Sequence, residues 1–282
     1  MIEARIIADS ISPAGCRITT FVLKYPRFIH SELMTHRAFS RNAASSRAIP
    51  IQRMIAAIRE NPARPVHWGT AKPGMQAGEP LPPEKAEQAV AIWDEACHDA
   101  IAHAERLLEL GVHKQVVNRL LEPFAHMTTL VTATEWENFF ALRAHPDAQP
   151  EFQVLAYRML AAYLANEPVQ VPVGGWHIPF GDRMPDGLTE EERLKIATAR
   201  CARVSYLTFD GEFAPEKDFA LHDRLAQAGH WSPFEHCARA LPEAVPSGNL
   251  VGWRQYRKEF PDENRRADLK GILATKPDWI TL

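Results

Sequence analysis

Apolar residues recur along this chain with two periods, one of strands and one of helices. Residues 2–7 are short and apolar and read as a strand. Residues 17–25, RITTFVLKY, are rich in β-branched and aromatic side chains and read as a second strand, stopped by Pro26. Residues 29–39 have helical spacing and lead into a stretch rich in Arg and Ser, and residues 51–59 form a helix behind Pro50. The helical period is strong over 84–110, where Trp93, Ala100, Ile101, Ala104 and Leu108 repeat with Ile92, Ala96 and Leu107, and Gly111 marks the end. Further helices are predicted over 112–122, up to Pro123, over 136–142, and over 149–166 with Phe152, Leu155, Met159 and Tyr163 on one face. A β-branched strand lies between them at 128–134. Thr189, followed by Glu190, Glu191 and Glu192, matches a capping box that opens a helix to Ala202. Another helix runs over 216–228 and is closed by Gly229. Long helices with a few strands predict an α+β fold.

Two stretches break these periods. Residues 61–83 contain Pro62, Pro65, Gly69, Pro73, Gly74, Gly78, Pro80, Pro82 and Pro83, and residues 168–188 form a second Pro/Gly loop. Loops of such length inside a compact domain are usually functional or mobile. The tail after Pro242 is weakly patterned. Its basic and aromatic segment from Gly252 to Lys258 reads as a surface helix, with a ligand contact as the other reading.

Composition narrows the classes. The 282 residues are 46% hydrophobic, enough for a sizeable core without staples. A net charge of -3 supplies no overall basic field, so nucleic-acid binding is not favoured, and a local basic pocket for a small phosphate stays open. Cys16, Cys97, Cys201 and Cys237 form no CxxC pair. The first residues show no signal peptide, and no apolar run approaches the ~18 residues of a membrane span. A cytoplasmic location with free thiols is the expectation.

Four stretches carry candidate chemistry. Residues 36–53 hold Arg37, Arg41, Arg47 and Arg53 with hydroxyls from Ser40, Ser45 and Ser46. Guanidinium forks and hydroxyls suit phosphate, and composition alone leaves a basic surface turn equally open. The second stretch is Asn118, Arg119 and on to Pro123. The third, residues 136–149, sets Asn138 and Arg143 inside apolar runs, where a polar group needs a partner. A bound ligand or a salt bridge to a neighbouring helix would each serve. The fourth, residues 229–236, contains His230, Ser232, Glu235 and His236. These invite a zinc reading, as in a metal hydrolase, but Pro233 interrupts any helix that would present both histidines, so no metal is expected. No GxGxxG, Walker loop or GxSxG elbow is present.

Together the four stretches resemble the flavin-dependent thymidylate synthases. That family carries an Arg-His-Arg, seven further residues, a serine, and an arginine two beyond it. Here Thr35-His36-Arg37 is followed by Ser45 and Arg47, with Thr35 in place of the first arginine, Asn42 retained, Ala43 for a glutamate and Ala48 for a tyrosine. Arg119 to Pro123 resembles the family's Arg-x-x-x-Pro segment, and Asn138-Phe139-Phe140-Ala141-Leu142-Arg143 with Ala148-Gln149-Pro150-Glu151 resembles its Asn-Phe-Leu-x-Leu-Arg segment. Two segments that precede the arginine motif in the family follow it here: Ala202-Arg203-Val204-Ser205-Tyr206, and residues 229–236. The order looks circularly permuted. The resemblance spans residues 17–53, 112–165 and 196–240.

The resemblance implies an α+β fold with a mixed sheet and several long helices. It implies one catalytic domain over 1–282, with the nucleotide and flavin half at 1–166 and the permuted segment at 190–282. It implies an FAD-dependent C5 methylation of dUMP to dTMP, with methylene-tetrahydrofolate and NADPH, by a homotetramer whose sites are shared between subunits. The alternatives are the same reaction on UMP and a nucleotide-binding homologue without catalysis. By position, Arg47, Arg119 and Ser45 would hold the nucleotide and its phosphate. Arg143 would face the pyrimidine, with Arg143 and Ser45 as the catalytic pair. His36, Arg37, Asn42 and Asn138 would contact the flavin, joined by Ser205, His230, Ser232 and Glu235. Glu32 stands where the family has a glutamine near the nucleotide. As an acceptor for a sugar hydroxyl, it keeps UMP in play.

Overall fold

The computed structural model describes residues 1–205, 214–264 and 267–281, with Ser205 described by its backbone alone. In chain order, strands β1 (Glu3–Ile11) and β2 (Arg17–Pro26) form a hairpin, followed by one helical turn, α1 (His30–Leu33), and strand β3 (Ser40–Ala43). Helices α2 (Ile51–Glu60), α3 (Pro83–Glu109) and α4 (Lys114–Leu121) lead to β4 (His126–Ala133). Then come α5 (Glu137–Arg143), α6 (Pro150–Ala165) and the two-residue strands β5 (Val169–Gln170) and β6 (Trp176–His177). The remainder comprises α7 (Glu190–Ala202), α8 (Pro215–Gln227), β7 (Ala238–Ala240), β8 (Pro246–Ser247), β9 (Leu250–Val251), β10 (Trp253–Gln255) and α9 (Leu269–Ala274).

The main sheet has the order β3-β4-β2-β1-β5, antiparallel except for the parallel β1/β5 pair. The fold is therefore α+β on a mixed sheet. Strand β2 sits at its centre and is largely buried on both faces, with Thr19 and Thr20 buried beside its apolar residues. Side chains alternate across a strand. Phe21, Leu23 and Tyr25 meet Phe152, Leu155 and Met159 of α6, Phe139 of α5 and Trp136 just before α5 in the main core. On the other face Val22 and Leu130 meet Phe180, Cys201 and Val204 from the second half of the chain. A second core joins α2, α3 and α4 through Ile55, Ile58, Cys97, Ile101, Val117 and Leu121. Ile92 stands outside it, exposed, although it keeps the helical period.

The punctuation holds where a mechanism backs it. Thr189 and Glu192 form the reciprocal capping box. Gly111 and Gly229 follow the last turns of α3 and α8 in the left-handed region, at φ +77 and +70.

Three expectations are corrected. Residues 29–39 are not one helix: after α1 the chain turns outward and returns as β3. The apolar spacing there comes from Ile29 and Leu33 on a helical turn and Phe39 on an extended stretch, all three buried in one core. Arg41 holds that bend by donating from Nη1 to the carbonyl of Met34 (2.7 Å). Residues 252–258 are not a surface helix. Trp253 and Gln255 point inward from β10, Arg254 points out, and β7 is the hydrogen-bonded partner. The second Pro/Gly loop contains β5 and β6, and β6 joins β7 and β10 in a three-stranded sheet.

The two halves are tied by a buried polar chain. Ser10 Oγ lies 2.9 Å from His177 Nδ1, and His177 Nε2 lies 2.8 Å from Thr20 Oγ1. Thr20 Oγ1 lies 2.7 Å from Thr132 Oγ1, which lies 2.8 Å from His236 Nδ1. His236 Nε2, at the far end, is buried without a hydrogen-bond partner among the described residues.

Candidate functional site

Arg143 ends α5, and the residues around it come from α1, from the turn that follows it and from α6. Its Nε–H donates to His36 Nε2 (3.0 Å), Nη1 to Glu32 Oε2 (3.3 Å) and Nη2, weakly, to Thr35 Oγ1 (3.5 Å). Its guanidinium carbon lies 4.8 Å from the centre of the Phe152 ring, a cation–π placement. A guanidinium can only donate, so His36 must accept through Nε2 and carry its proton on Nδ1. Burial, then the Arg143 and Arg41 charges, pull the His36 pKa down to about 4, which keeps the ring neutral for that role. The imidazole is itself fixed, stacked on Phe39 at 5.6 Å and edge-on to Phe139 at 5.0 Å.

Arg143 is half-buried and opens onto a cleft of about 980 Å³. Glu32, Gln149 and Gln153 line it from the body of the protein, and Val66, His67, Met75, Gln76 and Ala77 line it from the 61–83 stretch. Residues 68–81 of that stretch form a hairpin, bridged at Gly69 and Pro80.

The expected phosphate residues form a second group. Ser45 and Arg47 lie exposed on a loop behind β3, and α4 holds that loop from beneath. Asn118 Nδ2 donates to the carbonyls of Ser46 (2.7 Å) and Ile49 (3.0 Å), and Lys114 Nζ to that of Ala48 (3.0 Å). Glu122 Oε1 gathers Ser46 Oγ (2.7 Å), Arg119 Nη1 (2.9 Å) and Arg27 Nη2 (3.0 Å). The group is rich in guanidinium with one carboxylate at its centre. Among the described residues Arg47 has no hydrogen bond or ion pair.

The remaining residues divide. Ser232 Oγ donates to the carbonyl of Arg41 (2.8 Å), Asn42 Nδ2 donates to that of Cys201 (2.5 Å), and Glu235 pairs with Arg257. Arg37, Asn138 and His230 are exposed, and their side chains have no hydrogen bond or ion pair among the described residues. Asn138 thus needs no buried partner, because the first turn of α5 faces it outward. The side chain of Ser205, and Tyr206, lie outside the described residues. His230, Glu235 and His236 do not converge: the first is exposed, the second is held by Arg257, and the third is buried on Thr132.

Sequence reasoning missed Glu122 as the hub of the loop, Phe152 as the platform for Arg143, and the hairpin wall of the cleft. A signal existed for Glu122, three residues after Arg119 on a helix and so within side-chain reach. None existed for Phe152, which reads as core.

No helix among the described residues is long and apolar enough to cross a membrane. Over 162 residues the chain is 28% identical to the flavin-dependent thymidylate synthase of Rickettsia conorii (strain ATCC VR-613 / Malish 7), a match covering 52% of this chain and 54% of that protein. The chain thus matches about half the length of that curated relative. Two crystal structures of the UMP/dUMP methylase PolB from Streptomyces cacaoi, one bound with 5-Br UMP and one with 5-Br dUMP, are similar at 19% identity. Their TM-scores are 0.48 and 0.45, and the matches cover 58% of this chain and 88% and 90% of those chains. Residues 10–169, more than half of the chain, match the family described as thymidylate synthase complementing protein, and the chain belongs to that family.

Proposed function

We propose that this chain is a flavin-dependent enzyme that methylates C5 of a uridine nucleotide, dUMP or UMP. The observation that carries the reading is the mounting of Arg143, fixed by His36, Glu32 and Phe152 with N–H groups left to face the cleft. C5 of a pyrimidine becomes nucleophilic only as negative charge gathers on a ring carbonyl. A donor already aimed at that oxygen stabilises the charge without reorganising. Glu32 beside Arg143 offsets its charge, so the cleft suits a neutral ring better than a phosphate. The phosphate is assigned to Arg47, Arg119 and Ser45, where cations outnumber Glu122.

The donor set also suits a flavin dinucleotide. Arg37, Asn138 and His230 present polar side chains that no protein group engages among the described residues, and these would hold FAD. When bound and reduced by NADPH, FAD supplies the hydride that turns a one-carbon unit from methylene-tetrahydrofolate into a methyl group. Asn42 and Ser232 serve differently: they fix β3 against the second half of the chain, which supports treating 1–282 as one catalytic domain. A homotetramer with shared sites is the assembly expected with this reading. Glu32 can accept a bond from a sugar hydroxyl, which supports UMP beside dUMP. A homologue that binds nucleotide without catalysis is the second reading.

The test is the purified protein reconstituted with FAD and assayed on dUMP, UMP and dCMP in parallel, with NADPH and methylene-tetrahydrofolate. Flavin absorption and methyl transfer to a uridine nucleotide are expected, both substrates being tested at once. Arg143→Ala should abolish turnover while the protein stays folded. A protein that cannot be loaded with FAD sinks the reading, and turnover retained in Arg143→Ala sinks the role of that residue.

A further inference from the structure

The hairpin at 68–81 walls the cleft before Arg143, and the function proposed above gives its side chains no role of their own. Its arms are joined by bonds from Thr70 N–H to Glu79 O (2.8 Å), Gly78 N–H to Thr70 O (2.7 Å) and Leu81 N–H to Trp68 O (2.8 Å). They approach so closely that a Cβ on Gly69 would lie 2.5 Å from Ala77 Cβ, and one on Gly78 would lie 2.4 Å from Thr70 Oγ1. A side chain at Gly69, against Ala77 Cβ and the Gly78 carbonyl at 2.9 Å, would therefore force the arms apart, while one at Gly78 would turn the Thr70 hydroxyl away. The root is firmly held. Glu151, only 3% exposed, accepts from Val66 N–H (2.7 Å) and Gln149 Nε2 (3.0 Å). Arg64 meets Asp94 through two bonds of 2.6 and 2.8 Å. Among the described residues the tip meets the body through one side-chain bond, Gln76 Nε2 to Asp147 Oδ1 at 2.5 Å. Met75, Gln76, Asp147, Glu32 and Arg143 all line one cleft, so that bond joins two of its walls. Beside it the Met75 side chain is fully exposed, at 105%.

We infer that the hairpin tip is the second wall of a ring-binding cleft, in which Gln76 leaves Asp147 to hydrogen-bond the polar edge of a planar heterocycle held before Arg143. The inference rests on the function proposed above. The ligand is a neutral ring with an amide edge. Glu32 and Asp147 outnumber Arg143 and repel a phosphate. The thioether of Met75 lays soft apolar surface on a ring face. The Gln76 amide offers a donor and an acceptor together, the complement of adjacent ring C=O and N–H groups. The pyrimidine of the nucleotide and the pterin of the folate share that edge, so the two are separated by experiment.

Binding of dUMP and of tetrahydrofolate to the full chain is measured by calorimetry for the parent protein, Gln76→Ala and Asp147→Ala. Gln76→Ala should weaken one ligand by about five- to tenfold, the loss of one neutral hydrogen bond. Asp147→Ala frees Gln76 and should leave the same ligand bound equally well or more tightly. The ligand whose affinity moves identifies the ring. Unchanged affinities in Gln76→Ala would overturn the inference, as would equal losses in both variants, which mean that the bond only shapes the cleft. A parent protein that binds neither ligand would overturn the proposed function itself, an outcome distinct from both.

Discussion

The buried polar chain makes a quantitative prediction about acid. His177 and His236 are 0% exposed, and burial, the largest cause for each, draws both pKa values down to about 3. For His236 the nearby His177 acts in the same direction. In the unfolded chain both return to the ordinary value near ~6.5. The unfolded state therefore binds two protons, below ~6.5, that the folded state refuses until about pH 3. The stability these neutral rings allow is fully present above the unfolded pKa and is lost as pH falls below it. Between pH 7 and pH 5 each ring costs about 2 kcal/mol by linkage, so the pair costs about 4. That is a large share of the 5–15 kcal/mol typical of a domain. The figure at pH 5 scarcely depends on how far below 4 the folded pKa lies, because there the folded ring is unprotonated either way. His30, His36 and His126, each drawn to about 4 by burial, act in the same direction. The clean measurement is therefore a difference. His236→Asn keeps a polar group where Nδ1 meets Thr132 and removes the titrating ring. Urea unfolding at several pH values from 7 to 5 should show a dependence reduced by about 1.4 kcal/mol per pH unit near pH 5, whatever the change at pH 7. An unchanged slope would mean that His236 titrates alike in both states, and the account of the chain would fail.

Two further changes test the scaffold around the site. Asn118→Ala removes the donor shared by the carbonyls of Ser46 and Ile49. It should cost about 2 kcal/mol in denaturant unfolding and raise the KM for the nucleotide more than it lowers kcat, since the loop with Ser45 and Arg47 loses its anchor. Equal effects on both constants would place the loop elsewhere in the mechanism. Gly252→Ala puts a Cβ 2.7 Å from Cys16 Cβ on a backbone at φ +71. Left-handed strain and overpacking together should cost about 2–4 kcal/mol, read as a lowered Tm; an unchanged Tm would refute the close approach.

How much of this was legible in the sequence depended on how far each signal reached along the chain. The long helices, the capping box at Thr189 and the closing glycines were legible because period and caps are local. Strands β5 to β10 were not, because two or three residues cannot display a period. Residues 29–39 misled for a related reason: a helical turn and an extended segment each placed an apolar residue in the same core, and the sum imitated one helix. Candidate site residues were picked out singly, by motif resemblance, and nothing in the sequence showed which of them meet. His36 and Arg143 lie far apart in sequence, and nothing local in either indicates that the imidazole accepts from the guanidinium. Burial of Phe152 looks the same in sequence whether the ring faces another ring or a cation.

The arginine motif has its position set by strand register rather than by its own composition. Ser40 of β3 pairs with Thr132 of β4, and Thr132 is also the residue that meets His236 and Thr20 on the buried face. One residue later, the carbonyl of Arg41 accepts from Ser232, and Asn42 donates to Cys201. A slip of one residue between β3 and β4 would reverse every side chain of β3 across the sheet. Asn42 would lose Cys201 and Ser40 would leave Asn249 and Gln255 without the hydroxyl they now share. Residues 190–282 thus specify where β3 lies, and β3 in turn fixes both ends of the motif: the turn at Thr35 and His36 that holds Arg143, and the loop at Ser45 and Arg47 that α4 supports. The late part of the chain thus bears on the candidate site through the register of β3.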